Sequence, residues 1–368
     1  MLRLAERPAS TAAGPGQASR PSRRWVLLAV LALGVTSCLI VLTGGLASGR
    51  AAGGAAVRGA GLVHVLPGSN RVLAGPSLPE VNGLAAAMGS VWATGGDAGH
   101  SHLLYAVNPL TSRIDATIVL PSRLVINPGD LAVGPGAVWV AVGGSLYRIV
   151  PGRSGRAVTG PFASVPGSGL IGDVVTTARS VWVDDTANGT VYRYAAATGR
   201  LTAALSVGRT AGVMAAGDGG VWVADPDART VTRISGRGRV AAVVRLPVAP
   251  THLAASGHTL WATGGTDRVL AIGPDGRVHP VPVAGQPTGL AVAGGSVWVA
   301  STGAGRLSRI DPHRDVVAGT VRVGERPYAV TATRQGVWVA VLGQPVMRHT
   351  GPARHGTPGW LLRLCGVG

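Results

Sequence analysis

Five polar residues recur at one kind of place in this sequence. Asn82, Asp130, Asp173, His252 and Tyr328 each sit at the start of a short run of small apolar residues. Asp and Asn offer the hard oxygen donors that a divalent cation such as Ca or Mg takes, and a cation so held can polarise a substrate carbonyl. His252 adds an imidazole, and Tyr328 a phenol able to donate or accept. Brought to one mouth of a closed ring, these five are the expected ligand-binding residues, and their oxygens could hold such a cation. The competing role is turn chemistry, in which Asp and Asn accept neighbouring backbone N–H groups. Glutamate occurs only at Glu6, Glu80 and Glu325, which counts against catalysis by paired carboxylates.

Other groups are sparser. His100 and His102 would place two imidazoles on one face of a strand, enough to begin a metal site, or would sit in a solvated loop. Asp184, Asp185, Asp225 and Asp227 follow Trp-containing runs in adjacent repeats and form either an acidic groove for a cationic ligand or solvated loops. Residues 167–172 (GSGLIG) match a dinucleotide fingerprint by letters, but the DVVT that follows reads as a strand where that chemistry needs a helix N-terminus. Residues 188–190 (NGT) form a glycosylation sequon that reads as a turn. Cys38 and Cys365 can build neither a disulfide framework nor a zinc site. No nucleophile elbow, phosphate loop or metalloprotease motif occurs.

The elements that must position these residues are announced by tryptophan. Trp92, Trp139, Trp182, Trp222, Trp261, Trp298 and Trp338 all stand in the phrase small-x-hydrophobic-Trp-(Val/Ala). They are separated by 47, 43, 40, 39, 37 and 40 positions, a mean of 41. A period of this size, made of strand-like words, is one blade of a β-propeller. In residues 287–327 the blade parses into a thin inner strand (289–293), a Gly294-Gly295 hairpin and a Trp strand (296–300). An alternating third strand (306–310), a turn at Asp311-Pro312 and an outer strand (316–323) follow. The same third-strand word returns at 145–149, 190–194 and 230–234. A Trp common to every repeat is expected to pack one blade on the next; the alternative is a ring of ligand-stacking aromatics.

The predicted fold is therefore all-β: a seven-bladed propeller with four-stranded blades over residues 61–368. Residues 62–66 and 71–74 are expected to supply strands three and four of a blade whose first two strands lie at 328–341, so that N- and C-terminal strands close the ring. Residues 360–364 (WLLRL) also read as a third strand and compete for that place or add an edge.

Words such as GLAVAGGSVWVASTGAGRLSRIDP and VGERPYAVTA resemble the repeats of YVTN/NHL-type propellers, in particular those of virginiamycin B (streptogramin) lyase-like proteins, over about residues 61–365. The resemblance implies a propeller and, for the lyases of that family, a metal with a His general base and an acidic ligand. His252 would then be the catalytic base, and Asp130 or Asp173 the ligand. Its relatives also include gluconolactonase-like hydrolases and binding modules, so the words define the blade rather than the activity.

Residues 25–46 form an almost unbroken apolar run, about the length that crosses a bilayer as a helix. Arg20, Arg23 and Arg24 precede it, so residues 1–24 are expected to form a disordered cytoplasmic tail. Residues 47–60 would be a flexible linker and the propeller extracytoplasmic, a single-pass protein of the cell membrane. A cleaved signal peptide, or lipidation at Cys38 of the VTSC word, are the rivals, and both also place the propeller outside the cytoplasm. The net charge of +17 rests on 33 basic residues, all Arg, scattered singly without interleaved aromatics, so nucleic acid is not an expected partner. The leading expectation is a monomeric membrane-anchored propeller that binds a small molecule or a protein through its top face without transforming it. The alternative is a metal-dependent lyase or hydrolase.

Overall fold

Thin strands of Ala, Gly and Val, separated by Gly-containing turns, leave little choice but short hairpins laid side by side. The computed structural model describes residues 60–342 apart from 67–70, 79–80, 96–102, 121–130, 135, 151–160 and 168–170. Among the described residues are seven antiparallel sheets of four strands each. We number the blades 1 to 7 by the order of their tryptophans. The innermost strands of neighbouring blades touch all the way round, which closes the ring around a channel.

Blade 6 follows the expected parse closely, with strands Pro287–Ala293, Ser296–Ser301, Arg306–Asp311 and Val316–Arg322. Gly294 and Gly295 join the first two at φ values of 57° and 69°. Two successive left-handed residues make the hairpin turn whose twist suits antiparallel strands, and glycine adopts it without a Cβ penalty.

Each tryptophan packs its own blade against the next. Trp139 of blade 2 lies with Val174, Val181 and Val183 of blade 3, and Trp182 of blade 3 with Met214, Val221 and Val223 of blade 4. Trp298 and Trp338 continue the pattern into blades 7 and 1. All seven indoles are at most 5% exposed, so the seven tryptophans pack blades rather than stack a ligand. Burial on this scale makes each a major stabilising contact, and truncation to Ala costs about 3–5 kcal/mol.

The closing blade is built from both ends of the described chain. Pro327–Ala332 and Val337–Val341 supply its inner strands, Gly61–Leu66 and Arg71–Ala74 its outer ones. The third-strand place is therefore filled by Gly61–Leu66, with Val63 opposite Val339 and His64 opposite Trp338. His64 stacks on Trp338 with ring centroids 4.5 Å apart. Burial, the larger influence, lowers its pKa against a hydrogen bond to the Gln335 backbone.

The expected tail (1–24), the apolar run (25–46) with Cys38, nearly all of the linker (47–60), His100, His102, Asp130, Cys365 and residues 360–364 lie outside the described residues. Among the described residues no helix is long and apolar enough to cross a membrane.

Candidate functional site

Because every blade starts its innermost strand at the same end of the channel, residues at those starts gather at one mouth. Asn82 precedes Gly83–Ala87, Asp173 precedes Val174–Thr176, His252 opens His252–Ser256, and Tyr328 is second in Pro327–Ala332. Four of the five expected residues thus share a rim; Asp130 lies outside the described residues.

Two of the four are joints of the ring. The Asp173 carboxylate is almost fully buried and accepts the backbone N–H of Met214, tying blade 3 to blade 4. The Tyr328 hydroxyl donates to the carbonyl of Val81, tying blade 7 to blade 1. Threonines join blades 5, 6 and 7. Thr263 donates to the Thr288 carbonyl at 2.9 Å, linking blades 5 and 6. Thr302 donates to the Pro327 carbonyl at 2.8 Å, linking blades 6 and 7. Nothing in the repeat phrase marked these threonines. The available signal was a hydroxyl at the end of the Trp strand or just past it, places where Thr94 and Thr186 stand in other repeats.

The acids that follow the Trp strands do not form the groove considered from sequence. Asp184, Asp185 and Asp225 are 0–1% exposed, whereas Asp227 is exposed. Asp184 accepts the N–H groups of Gly172 and Asp173 and the Thr186 hydroxyl. Burial outweighs those bonds and pushes its carboxyl up to about 8, so the group is mainly protonated at neutral pH. Asp185 accepts the Asn188 amide at 2.9 Å, which gives the NGT word its turn role. Asp225 accepts Thr210 Oγ1 at 2.9 Å and the N–H groups of Ala228 at 2.9 Å and Arg209 at 3.1 Å. Two glycines make room for these carboxylates. A Cβ on Gly208 would fall 2.0 Å from Asp225 Oδ2, and one on Gly167 1.9 Å from Asp185 Oδ2. Asp184 and Asp225 share a physical reason. Loops that turn sharply beside a strand leave N–H groups without partners, and a short carboxylate satisfies them in place.

What remains at the rim is His252 and Asn82. Neither side chain has a hydrogen-bond partner among the described residues, and both reach solvent, His252 more fully. Protein nonetheless surrounds His252 on the channel wall, and this desolvation pushes its imidazole down to about 4. Its contact with solvent moderates that shift, and the ring is neutral at pH 7. Among the described residues no three His, Cys, Asp or Glu side chains come together in a way that could hold a metal ion. Asp173 is turned to Met214 rather than toward His252's free imidazole, so the described residues do not by themselves fit a divalent cation.

The opposite mouth was not legible in the sequence. There the hairpins between first and second strands of blades 1, 6 and 7 surround a cavity of about 850 Å³. Trp298, Arg309, Thr333, Arg334, Ser90 and Met88 are among its walls.

No protein-family model matches this chain, and no curated protein is similar to it in sequence. Solved structures do share the fold. A catalytically inactive histidine-to-alanine variant of virginiamycin B lyase from Staphylococcus aureus, with quinupristin, superposes with a TM-score of 0.57 at 14% identity, over 72% of this chain and 95% of that one. The selenomethionine-substituted form of the same lyase gives the same values. Kuenenia stuttgartiensis hydrazine synthase superposes with a TM-score of 0.59 at 13% identity, over 73% of this chain and 94% of that one. At this identity the likeness shows the fold: a β-propeller of the kind found in virginiamycin B lyase. Two proteins of unrelated activity share it, so it carries no activity across.

Proposed function

We propose that this chain is a membrane-anchored, extracytoplasmic propeller that binds a small molecule or partner protein at the mouth where the innermost strands begin. The observation that carries the reading is the division of labour at that rim. Asp173, Tyr328, Thr263 and Thr302 lock blade to blade, while His252 and Asn82 face solvent unpartnered. A rigid frame presenting a few free polar groups suits recognition, because little ordering entropy is lost on binding. Anchoring and orientation rest on the apolar run at 25–46 and the arginines before it.

A lyase or hydrolase is the second reading, favoured by the same solvent-facing, neutral His252 in a fold shared with a lyase whose histidine-to-alanine variant is inactive. Its weakness is chemical. Desolvation lowers the pKa of the imidazole and with it its strength as a proton acceptor at neutral pH, and the acids described at this rim are engaged by the frame.

A photo-crosslinking residue placed at 252 in producing cells, with the same residue at the outer-strand Val243 as control, tests the binding face. An adduct of defined mass at 252 and none at 243 is expected; no adduct at 252 removes the reading. Incubating the purified full chain with quinupristin, with and without Mg, separates the alternative. A linearised product that His252→Ala abolishes would establish the lyase.

A further inference from the structure

We infer that the opposite mouth of the channel holds a second site, one for a small organic anion bearing a carboxylate or phosphate group. Three observations meet there. The cavity of about 850 Å³ is of the size that small-molecule sites occupy. Its described walls include two guanidinium groups, Arg309 and Arg334, and no Asp or Glu. Among the described residues neither guanidinium has a hydrogen bond, an ion pair or a ring contact.

Arg309 departs from its own repeat in a way that points into the cavity. The residue opposite the blade tryptophan on the third strand is Arg148 in blade 2, Arg193 in blade 3 and Arg233 in blade 4. In each of these the guanidinium carbon lies over the indole, 5.8, 5.4 and 5.9 Å from the ring centroid, a cation–π contact that occupies the charge. Arg309 stands opposite Trp298 in the same register but makes no such contact, and both residues instead line the cavity. Arg334 adds an exposed second charge from the hairpin of blade 7, beside the Thr333 hydroxyl. Guanidinium forks match carboxylate and phosphate oxygens. The chain's charge of +17 favours the approach of anions to the molecule as a whole.

This site lies at the other end of the channel from His252, so it stands or falls separately from the reading of that rim. The test is calorimetric titration of the full chain at low salt with inorganic phosphate in one arm and succinate in the other. Thermal melts with and without each anion check that binding is to the folded state. Saturable binding is expected in at least one arm, and the arm that binds more tightly identifies the anionic group. Arg309→Gln and Arg334→Gln should each weaken it about tenfold, the loss of one charge-assisted pair. Arg148→Gln, which removes an arginine held on its tryptophan, should leave affinity unchanged. Arg334 is exposed on a hairpin, so its variant reports on binding even if Arg309→Gln unfolds the blade. No saturable heat with either anion, or equal affinity in Arg334→Gln, overturns the proposal.

Discussion

Blades 3 and 4 are joined and braced by carboxylates, whereas blades 5, 6 and 7 meet through threonine hydroxyls. Asp173 reaches Met214 from one side of the ring; Thr263 and Thr302 reach the Thr288 and Pro327 carbonyls on the other. The geometry served is similar: a buried backbone group at the rim needs one partner from the adjoining blade. The difference lies in which backbone group is free. An N–H calls for an acceptor, and a carbonyl calls for a hydroxyl. The acid side therefore carries a pH dependence that the threonine side lacks, and it is more sensitive to truncation because a carboxylate accepts several bonds at once.

The largest effect that sharpens this contrast is expected from Asp225→Ala. It leaves the Arg209 and Ala228 N–H groups and the Thr210 hydroxyl without their acceptor, and chemical denaturation should show a loss of about 2–4 kcal/mol. Asp184→Asn tests the pH dependence directly. The folded chain holds the Asp184 proton up to about 8, while the unfolded chain releases it near 3.8. Its contribution to stability is thus complete below 3.8 and declines as pH rises toward 8. Asn mimics the protonated form, so the variant should gain on the native protein progressively across that window and match it at the acid end. Parallel melts at pH 4, 6 and 8 check this, and a constant difference would break the assignment.

On the other side, Thr302→Val keeps the side-chain volume but removes the bonds to the Pro327 carbonyl and the Thr288 hydroxyl. The expected loss is about 1 kcal/mol, independent of pH. The smallest effect belongs to His252, whose imidazole is solvent-exposed and pairs with nothing described. The unfolded chain takes up a proton near 6.5 and the folded chain only at lower pH, by a margin that solvent contact keeps small, so this group's small contribution is lost as pH falls below 6.5. His252→Gln should leave stability at pH 7 almost unchanged and remove only that acid-side decline, read from melting temperatures at pH 7 and 5.

Much of the scaffold was legible because a blade is a local object. Trp298 with Gly294 and Gly295 specified a hairpin within seven residues, and the third-strand words followed within a dozen. Even closure could be read, since residues 62–66 and 71–74 matched the words missing after Trp338. The roles at the rim were less legible. Asp173 and Tyr328 were rightly placed at one mouth, but turn chemistry and ligand binding ask for the same residue types, and the repeat phrase contains no information that separates them.

By itself, then, the sequence determined the blade, the number of blades and the order in which they close, because strand period, glycine turns and indole burial act over tens of residues. Only the tertiary structure decided which polar groups are free. Asp173 meets Met214 across 41 positions and Tyr328 meets Val81 across 247, and the freedom of Arg309 beside Trp298 shows only against Arg148, Arg193 and Arg233. A side chain's availability for chemistry depends on whether a distant backbone group already claims it, and that is settled only when the ring has closed.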